Sequence, residues 1–426
     1  MPGFNRRQSR LTIVALCLLL LCAWRYYRKT IYLQLPGLID TPSDFKPYYL
    51  AAQNIVHGNS PFLAEGYIYP PLLAFLVTPL AELDYVTARR TWFLLSQLFL
   101  IASAFLLWRS FGRDWTAACW IAFVWAMGGS AAEALGLGQV GPLLTLLVVL
   151  AFTSRRWRPA AVSLGFAIKI FPGILGVAVL LRGDRRSVRW LFLGASIATF
   201  LPWAAVASFL HGPVGLSAGG AWTGTPATLS WSLPSVVLRI LDPPRQVYPL
   251  PRDWVVGTDL QHFRLPLASS VAALATALLT LCAGLFALTR SVRNRLAEDQ
   301  VPWAMAALIS LALAASPVGW THYQVLQYPG VALLLTYTWR RRQWMQLIAA
   351  LALAGLLYPI PVSILGDYYL RYHAWTANSL GTLYVWTSVT PLASLGLFAL
   401  FLRQARGLPG IPADSTSVPS LSRPGE

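Results

Sequence analysis

The sequence predicts an all-α integral membrane protein, a polytopic helical bundle of about twelve membrane segments with loops on the outer face. Three observations carry this. Of 426 residues, 56% are hydrophobic and only 12% charged, with a mean hydropathy of +0.55, too little polar surface for a soluble protein of this size. The apolar residues come in runs long enough to cross or half-cross a bilayer. The arginines come in short clusters between those runs, as the positive-inside rule requires.

Arg6, Arg7 and Arg10 precede an apolar run from Leu11 to Ala23. No small-x-small cleavage site follows it; Trp24-Arg25-Tyr26-Tyr27-Arg28-Lys29 does. The run therefore reads as an uncleaved first crossing with its N-terminus cytoplasmic, a cleaved signal being the alternative. An outer stretch at 28–90 follows. In it Phe45, Tyr48, Tyr49, Ala52, Ile55 and Val56 fall at helical spacing, which predicts a surface helix against the membrane. Asp44 opens it, and His57-Gly58 ends it.

Thr91 to Trp108 returns to Arg109 and Arg113. Trp115 to Ala132 and Gly141 to Phe152 form an out-and-back pair, with Glu133 and Gln139 at its outer turn. Ala160 to Leu181 is about one crossing long, yet arginine clusters flank both ends: 155, 156 and 158 before it, then 182, 185, 186 and 189 after it. Its middle reads Lys169-Ile-Phe-Pro172-Gly173. Two half-length helices meeting at Pro172 would keep both clusters inside.

Trp190 to Leu210 leads to a long outer loop at 211–265 that holds Trp222, Trp231, Tyr248 and Trp254. Leu267 to Thr289, Val301 to Ala315, Val325 to Thr338, Trp344 to Pro361 and Gly381 to Leu402 are the remaining crossings, with a third outer loop at 362–380. Residues 1–402 read as one domain, and 403–426, rich in Ser and Pro, as a disordered cytoplasmic tail. This topology places 21 of the 33 Lys and Arg inside but only 6 of the 16 Asp and Glu. The net charge of +17 is thus an orientation signal, and no nucleic-acid motif accompanies it. The four cysteines lie in apolar runs without metal-like spacing, and they read as packing residues.

With this orientation the polar clusters fall on the outer face: Asp40 and Asp44, Glu133 and Gln139, Trp320 and His322, and 367–373. Nucleotide sugars and ATP are absent there, and the chain has neither a phosphate-binding glycine loop nor an Asp-x-Asp pair for a metal-bound nucleotide. No metal and no cofactor is expected. A sugar donor on that face is lipid-linked, with a polyprenyl phosphate that leaves without a general acid. Such a site needs a base for the acceptor hydroxyl, cations or hydrogen bonds for the phosphate, and an apolar groove. Asp44 is the candidate base, although a plain helix cap explains it equally well. Lys169, which lies within the membrane, His322, Arg371 and His373 are candidates for the phosphate.

These residues resemble a known family. Asp44-Phe-Lys-Pro-Tyr48-Tyr49-Leu-Ala-Ala52, then Gly58-Asn-Ser-Pro61-Phe62, then Tyr69-Pro70-Pro71 with Pro79-Leu80, is similar to the first outer loop of glycosyltransferase family 87. Gly138-Gln139, Lys169 with Pro172, and Ser316-Pro317 with Trp320-Thr-His322 fit as well, so the resemblance spans most of residues 40–330. It implies the GT-C fold and a mannosyltransferase that uses polyprenyl-phosphate mannose as donor. A glycolipid or glycan would be the acceptor, at the outer face of a bacterial inner membrane. It implies that Asp44 is the catalytic residue and that the reaction inverts the anomeric centre. His322 is carried over with it, and Tyr48, Gln139 and Trp320 join the donor-binding set. Asp40 stands as a second acid. The family often has two adjacent histidines after the tryptophan; here the second position is Tyr323, which leaves His322 alone.

Two rivals remain at this level. A transporter or flippase of lipid-linked sugars would use the same half-helices and Lys169 as a pathway. A related GT-C enzyme would move another lipid-linked sugar, such as an arabinose.

Overall fold

The computed structural model describes residues 6–32, 43–200, 232–241, 267–292, 295–316, 319, 321–357 and 377–406. Among them there are helices and turns and no strand. The helices are α1 (Arg6–Tyr27), α2 (Phe45–Val56), α3 (Pro71–Ala81), α4 (Tyr85–Ser110), α5 (Trp115–Met127), α6 (Gly129–Leu137), α7 (Gly141–Thr153), α8 (Arg158–Ile168), α9 (Gly176–Arg182) and α10 (Arg185–Phe200). They continue with α11 (Leu233–Leu241), α12 (Leu267–Ser291), α13 (Val301–Ala315), α14 (Tyr328–Arg340), α15 (Trp344–Leu357) and α16 (Ala377–Ala405).

The faces of α4 show which solvent it meets. Leu94, Leu98, Ile101 and Phe105 recur every three or four residues and are exposed, while Ser96, Gln97 and Ser103 are buried. Polar-in and apolar-out is the reverse of a water-soluble helix, and it suits lipid. Inside, Gln97 accepts from the Tyr26 hydroxyl at 2.8 Å and donates to the Thr30 carbonyl at 3.3 Å, which ties α4 to the end of α1. At the centre α13 is buried along nearly its whole length, and its alanines let α16, α12 and α14 approach closely.

Three helical stretches are long and apolar enough to cross a membrane alone: Tyr85–Ser110, Ala268–Ser291 and Ser388–Ala405. The pair α5 and α6 adds a fourth if it is taken as one span bent by 56°. Much of the remaining apolar sequence lies in helices of 10–17 residues, so the described residues do not confirm a count of about twelve crossings. The bend between α5 and α6 has a visible partner. Gly128 lets Tyr328 approach so closely that a Cβ there would lie 1.7 Å from its hydroxyl, and that hydroxyl accepts from the backbone N–H of Ala131 at 3.1 Å. A donor freed by the break is satisfied inside the protein, as the bilayer demands.

The segment after α7 turns back on itself. Arg158, at the start of α8, and Arg182, at the end of α9, both pair with Glu298, at 2.6 and 2.8 Å. Arg155 also reaches Asp184 at 3.7 Å. Both flanking arginine clusters therefore lie together, as the two-half-helix reading expects. The break, however, falls at Lys169, where the backbone is extended, and not at Pro172, which sits inside a following 3-10 turn (Phe171–Leu175). Proline is tolerated in a first turn because its missing N–H would have had no partner there.

Three further boundaries differ from the sequence reading. Glu133 lies within α6 rather than at an outer turn, because the helix runs on to a left-handed Gly138. Helix α10 begins at Arg185, five residues before the expected crossing. Helix α16 continues to Ala405, into the stretch read as a disordered tail. Of the outer loop read at 211–265, α11 (Leu233–Leu241) is described as helix and residues 211–231 and 242–265 lie outside the described residues. So do 362–376 of the loop read at 362–380, into which α16 reaches from Ala377, and residues 407–426.

Candidate active site

Four places where helices stop come together: the start of α2, the turn between α6 and α7, the break at Lys169, and a 3-10 segment (Thr321–Gln327) leading into α14.

Asp44 occupies the cap position of α2, but its carboxylate does not cap the helix. The Phe45 N–H is taken instead by the Ser43 hydroxyl at 3.1 Å. The Asp44 backbone N–H donates to the Leu137 carbonyl at 2.9 Å, so the start of α2 is pinned to the end of α6. The half-buried carboxylate is left for another partner, and Gln139 Nε2 donates to it. Gly138 makes this approach possible. Its φ is +69°, and a Cβ there would lie 2.8 Å from the Phe45 Cβ. The carbonyls of the same turn are held from α4, where Arg89 donates to Gly136 at 2.9 Å and Trp92 Nε1 to Gly138 at 2.8 Å.

Gln139 is 3% exposed. Its Oε1 accepts from the Tyr48 hydroxyl at 3.3 Å and the Tyr69 hydroxyl at 3.4 Å. Burial pushes both hydroxyls well above the ordinary tyrosine range, and the nearby Asp44 charge adds to it, so both keep their protons as donors. The two rings meet edge to face at 4.9 Å between centroids.

Lys169 extends from the break after α8. Its Nζ is 3.5 Å from the Tyr69 hydroxyl, 4.8 Å from the centre of the Tyr69 ring and 3.8 Å from that of Tyr323. Aromatic faces stabilise a desolvated cation by roughly 1–2 kcal/mol each, which offsets only part of its lost hydration. Among the described residues no carboxylate is within ion-pair distance of it, while Asp44 lies within electrostatic reach. An 11-residue α8 is about 16 Å long, so the break sets Lys169 roughly half a bilayer away from the Arg158–Glu298 pair.

His322 is 4% exposed and stands edge-on to Tyr323, with ring centroids 4.5 Å apart. Among the described residues neither ring nitrogen has a hydrogen-bond partner. The nearest acid is Glu133, whose Oε1 is 3.9 Å from Nδ1. Buried imidazole nitrogens are normally satisfied, so both nitrogens of this ring stand out among the described residues.

The structure thus brings Asp44, Tyr48, Gln139 and Lys169 into one connected cluster, and Tyr323 joins His322 to it. Sequence reasoning did not select Tyr69 or Tyr323 as site residues. Tyr69 carried a signal in its Tyr-Pro-Pro motif, and Tyr323 in standing where a second histidine is frequent. Asp40, Trp320, Arg371 and His373 lie outside the described residues. Among the described residues no group of three or more His, Cys, Asp or Glu is placed to hold a metal. Among the described residues the arrangement offers a carboxylate held by one oxygen, an ammonium without an ion pair and an imidazole without a hydrogen bond. It can take a proton from a hydroxyl and bind an anion beside it.

Comparison with known proteins gives three findings. Residues 67–317 match the pattern of glycosyltransferase family 87. The chain is 25% identical over 351 residues to the polyprenol-phosphate-mannose-dependent alpha-(1-2)-phosphatidylinositol mannoside mannosyltransferase of Mycobacterium tuberculosis, covering 78% of this chain and 76% of that protein. It is 30% identical over 148 residues to GPI mannosyltransferase 1 of Aspergillus oryzae, covering 33% of this chain and 35% of that protein. No solved structure matches significantly.

Proposed function

The chain belongs to glycosyltransferase family 87, and from that premise we propose that it transfers mannose from a polyprenyl-phosphate donor to a lipid or glycan acceptor. The observation that carries the mechanism is the Asp44 carboxylate, held by Gln139 within reach of Lys169. Asp44 takes the proton of the acceptor hydroxyl as its oxygen attacks the anomeric carbon. The bond from that carbon to the phosphate oxygen breaks, and the electron pair leaves with the polyprenyl phosphate. Lys169 and His322 receive the phosphate charge, and attack from the side opposite the leaving group inverts the centre. Arg371, His373 and Trp320 complete the donor-binding set, and Asp40 is the second acid. No metal or cofactor takes part in this scheme.

The site faces the outside of a bacterial inner membrane in this reading, with the N-terminus cytoplasmic. What supports that orientation is the convergence of arginine clusters: 155–158 and 182–189 meet around Glu298 and Asp184, and Arg340 pairs with Asp114 at 3.0 Å. The test is transfer by purified protein from radiolabelled polyprenyl-phosphate mannose to a membrane extract, wild type against Asp44→Asn. Loss of about 10²–10⁴-fold in rate is expected, with folding retained. Equal rates would remove Asp44 from the chemistry. Transport of the lipid-linked sugar without transfer by wild type would favour a flippase.

A further inference from the structure

We infer that Gln139 is a positioning residue for Asp44, its amide oriented by the hydroxyls of Tyr48 and Tyr69, and not a ligand of the donor. This rests on Asp44 as base. The Lys169 ammonium has only donors, so the Tyr69 oxygen accepts from it at 3.5 Å. The Tyr69 proton is then free to point to Gln139 Oε1, where the Tyr48 proton points as well. Two donors on the oxygen end leave the NH₂ end for Asp44. In the flipped amide, Oε1 would face the carboxylate with no proton between them, and that repulsion selects the observed orientation.

The chain therefore has a direction: Lys169 to Tyr69, Tyr69 to Gln139, Gln139 to Asp44. One carboxylate oxygen is occupied, and among the described residues the other is left for the acceptor hydroxyl. Gln139 is buried where Asp44 and Lys169 are half-buried, as suits a residue that acts through its neighbour rather than on the sugar. The anchorage is rigid, because Gln139 follows the left-handed Gly138 and its backbone N–H donates to the Ala134 carbonyl at 2.8 Å.

The experiment measures pH profiles of kcat/KM and donor KM for wild type, Gln139→Glu and the double variant Tyr48→Phe/Tyr69→Phe, each checked for thermal unfolding. Gln139→Glu faces Asp44 with a second carboxylate, so the pair shares a proton and the acidic limb moves up by about one to two pH units. The double variant frees the amide to turn, and kcat falls by about tenfold with donor KM near wild type. An unmoved acidic limb in a folded Gln139→Glu overturns the inference, as does a raised donor KM with kcat intact. If Gln139→Glu does not fold, the double variant decides by the same split of kcat from KM. Asp44→Asn separates the two claims. An active Asp44→Asn removes the base and the relay together, whereas an inactive one beside an unmoved Gln139→Glu profile removes the relay alone.

Discussion

The two ends of α8 carry charged groups that are handled in opposite ways. At its start, Arg158 is 3% exposed, donates to Glu298 at 2.6 Å and to the Ala151 carbonyl at 2.8 Å, and shares Glu298 with Arg182. Just past its end, Lys169 has, among the described residues, a tyrosine hydroxyl and two ring faces but no ion pair, and Asp44 is hydrogen-bonded by Gln139. A paired charge resists separation and ties helices together. A charge kept from its partner by neutral groups stays available to a ligand. The first arrangement is structural, and the second has the form of a working site.

Substitutions at the two ends should therefore fail in different ways. Lys169→Met should lose about 10²–10³-fold in transfer rate, because it removes the main positive charge at the leaving phosphate. Its melting temperature should hold or rise, since methionine fits between two aromatic faces without burying a cation. A fall in stability equal to the fall in rate would make Lys169 an architectural residue. Glu298→Ala should cost about 3 kcal/mol in stability, the low end for breaking a buried pair because Glu298 is 37% exposed. Thermal unfolding in detergent reads this, and transfer per folded molecule should stay near wild type.

Gly138→Ala blurs the distinction, because it strains the turn that delivers Gln139. It should cost about 2 kcal/mol for the left-handed backbone and lower the rate as well. The smallest expected effect is at Tyr49, whose hydroxyl donates to the Leu83 carbonyl at 2.7 Å beside the site but not in it. Tyr49→Phe should lose about 1 kcal/mol and no activity, and a loss of activity would widen the site to that face of α2.

Much of this was legible in the sequence where charge and hydrophobicity spoke together. The flanking arginine clusters around 160–181 predicted a segment that turns back, because no single crossing satisfies both, and the shared Glu298 agrees. Of the six residues that periodicity placed on one face of α2, Phe45, Tyr48, Tyr49 and Ala52 are buried, while Ile55 is half-buried and Val56 exposed at the helix end. What escaped was three-dimensional in origin. Pro172 drew the predicted break to itself, although the N–H that proline lacks costs nothing at the start of a turn. Asp44 looked equally like a cap and a base, and what separates the two is that its carboxylate makes no cap bond and accepts from Gln139 instead. Tyr69 and Tyr323 lie 100 and 154 residues from the Lys169 they flank, and no spacing rule reaches that far. The number of crossings is not confirmed among the described residues, since short helices inside a membrane bundle and full crossings look alike in composition.

The most direct test of the contrast is a paired measurement on Asp44→Asn and Glu298→Gln: transfer rate and melting temperature for each, in one preparation. Asp44→Asn should lose transfer by about 10²–10⁴-fold at an unchanged melting temperature, while Glu298→Gln should melt earlier and keep its rate per folded molecule. Full transfer by Asp44→Asn, or a melting temperature that falls with its rate, would contradict this.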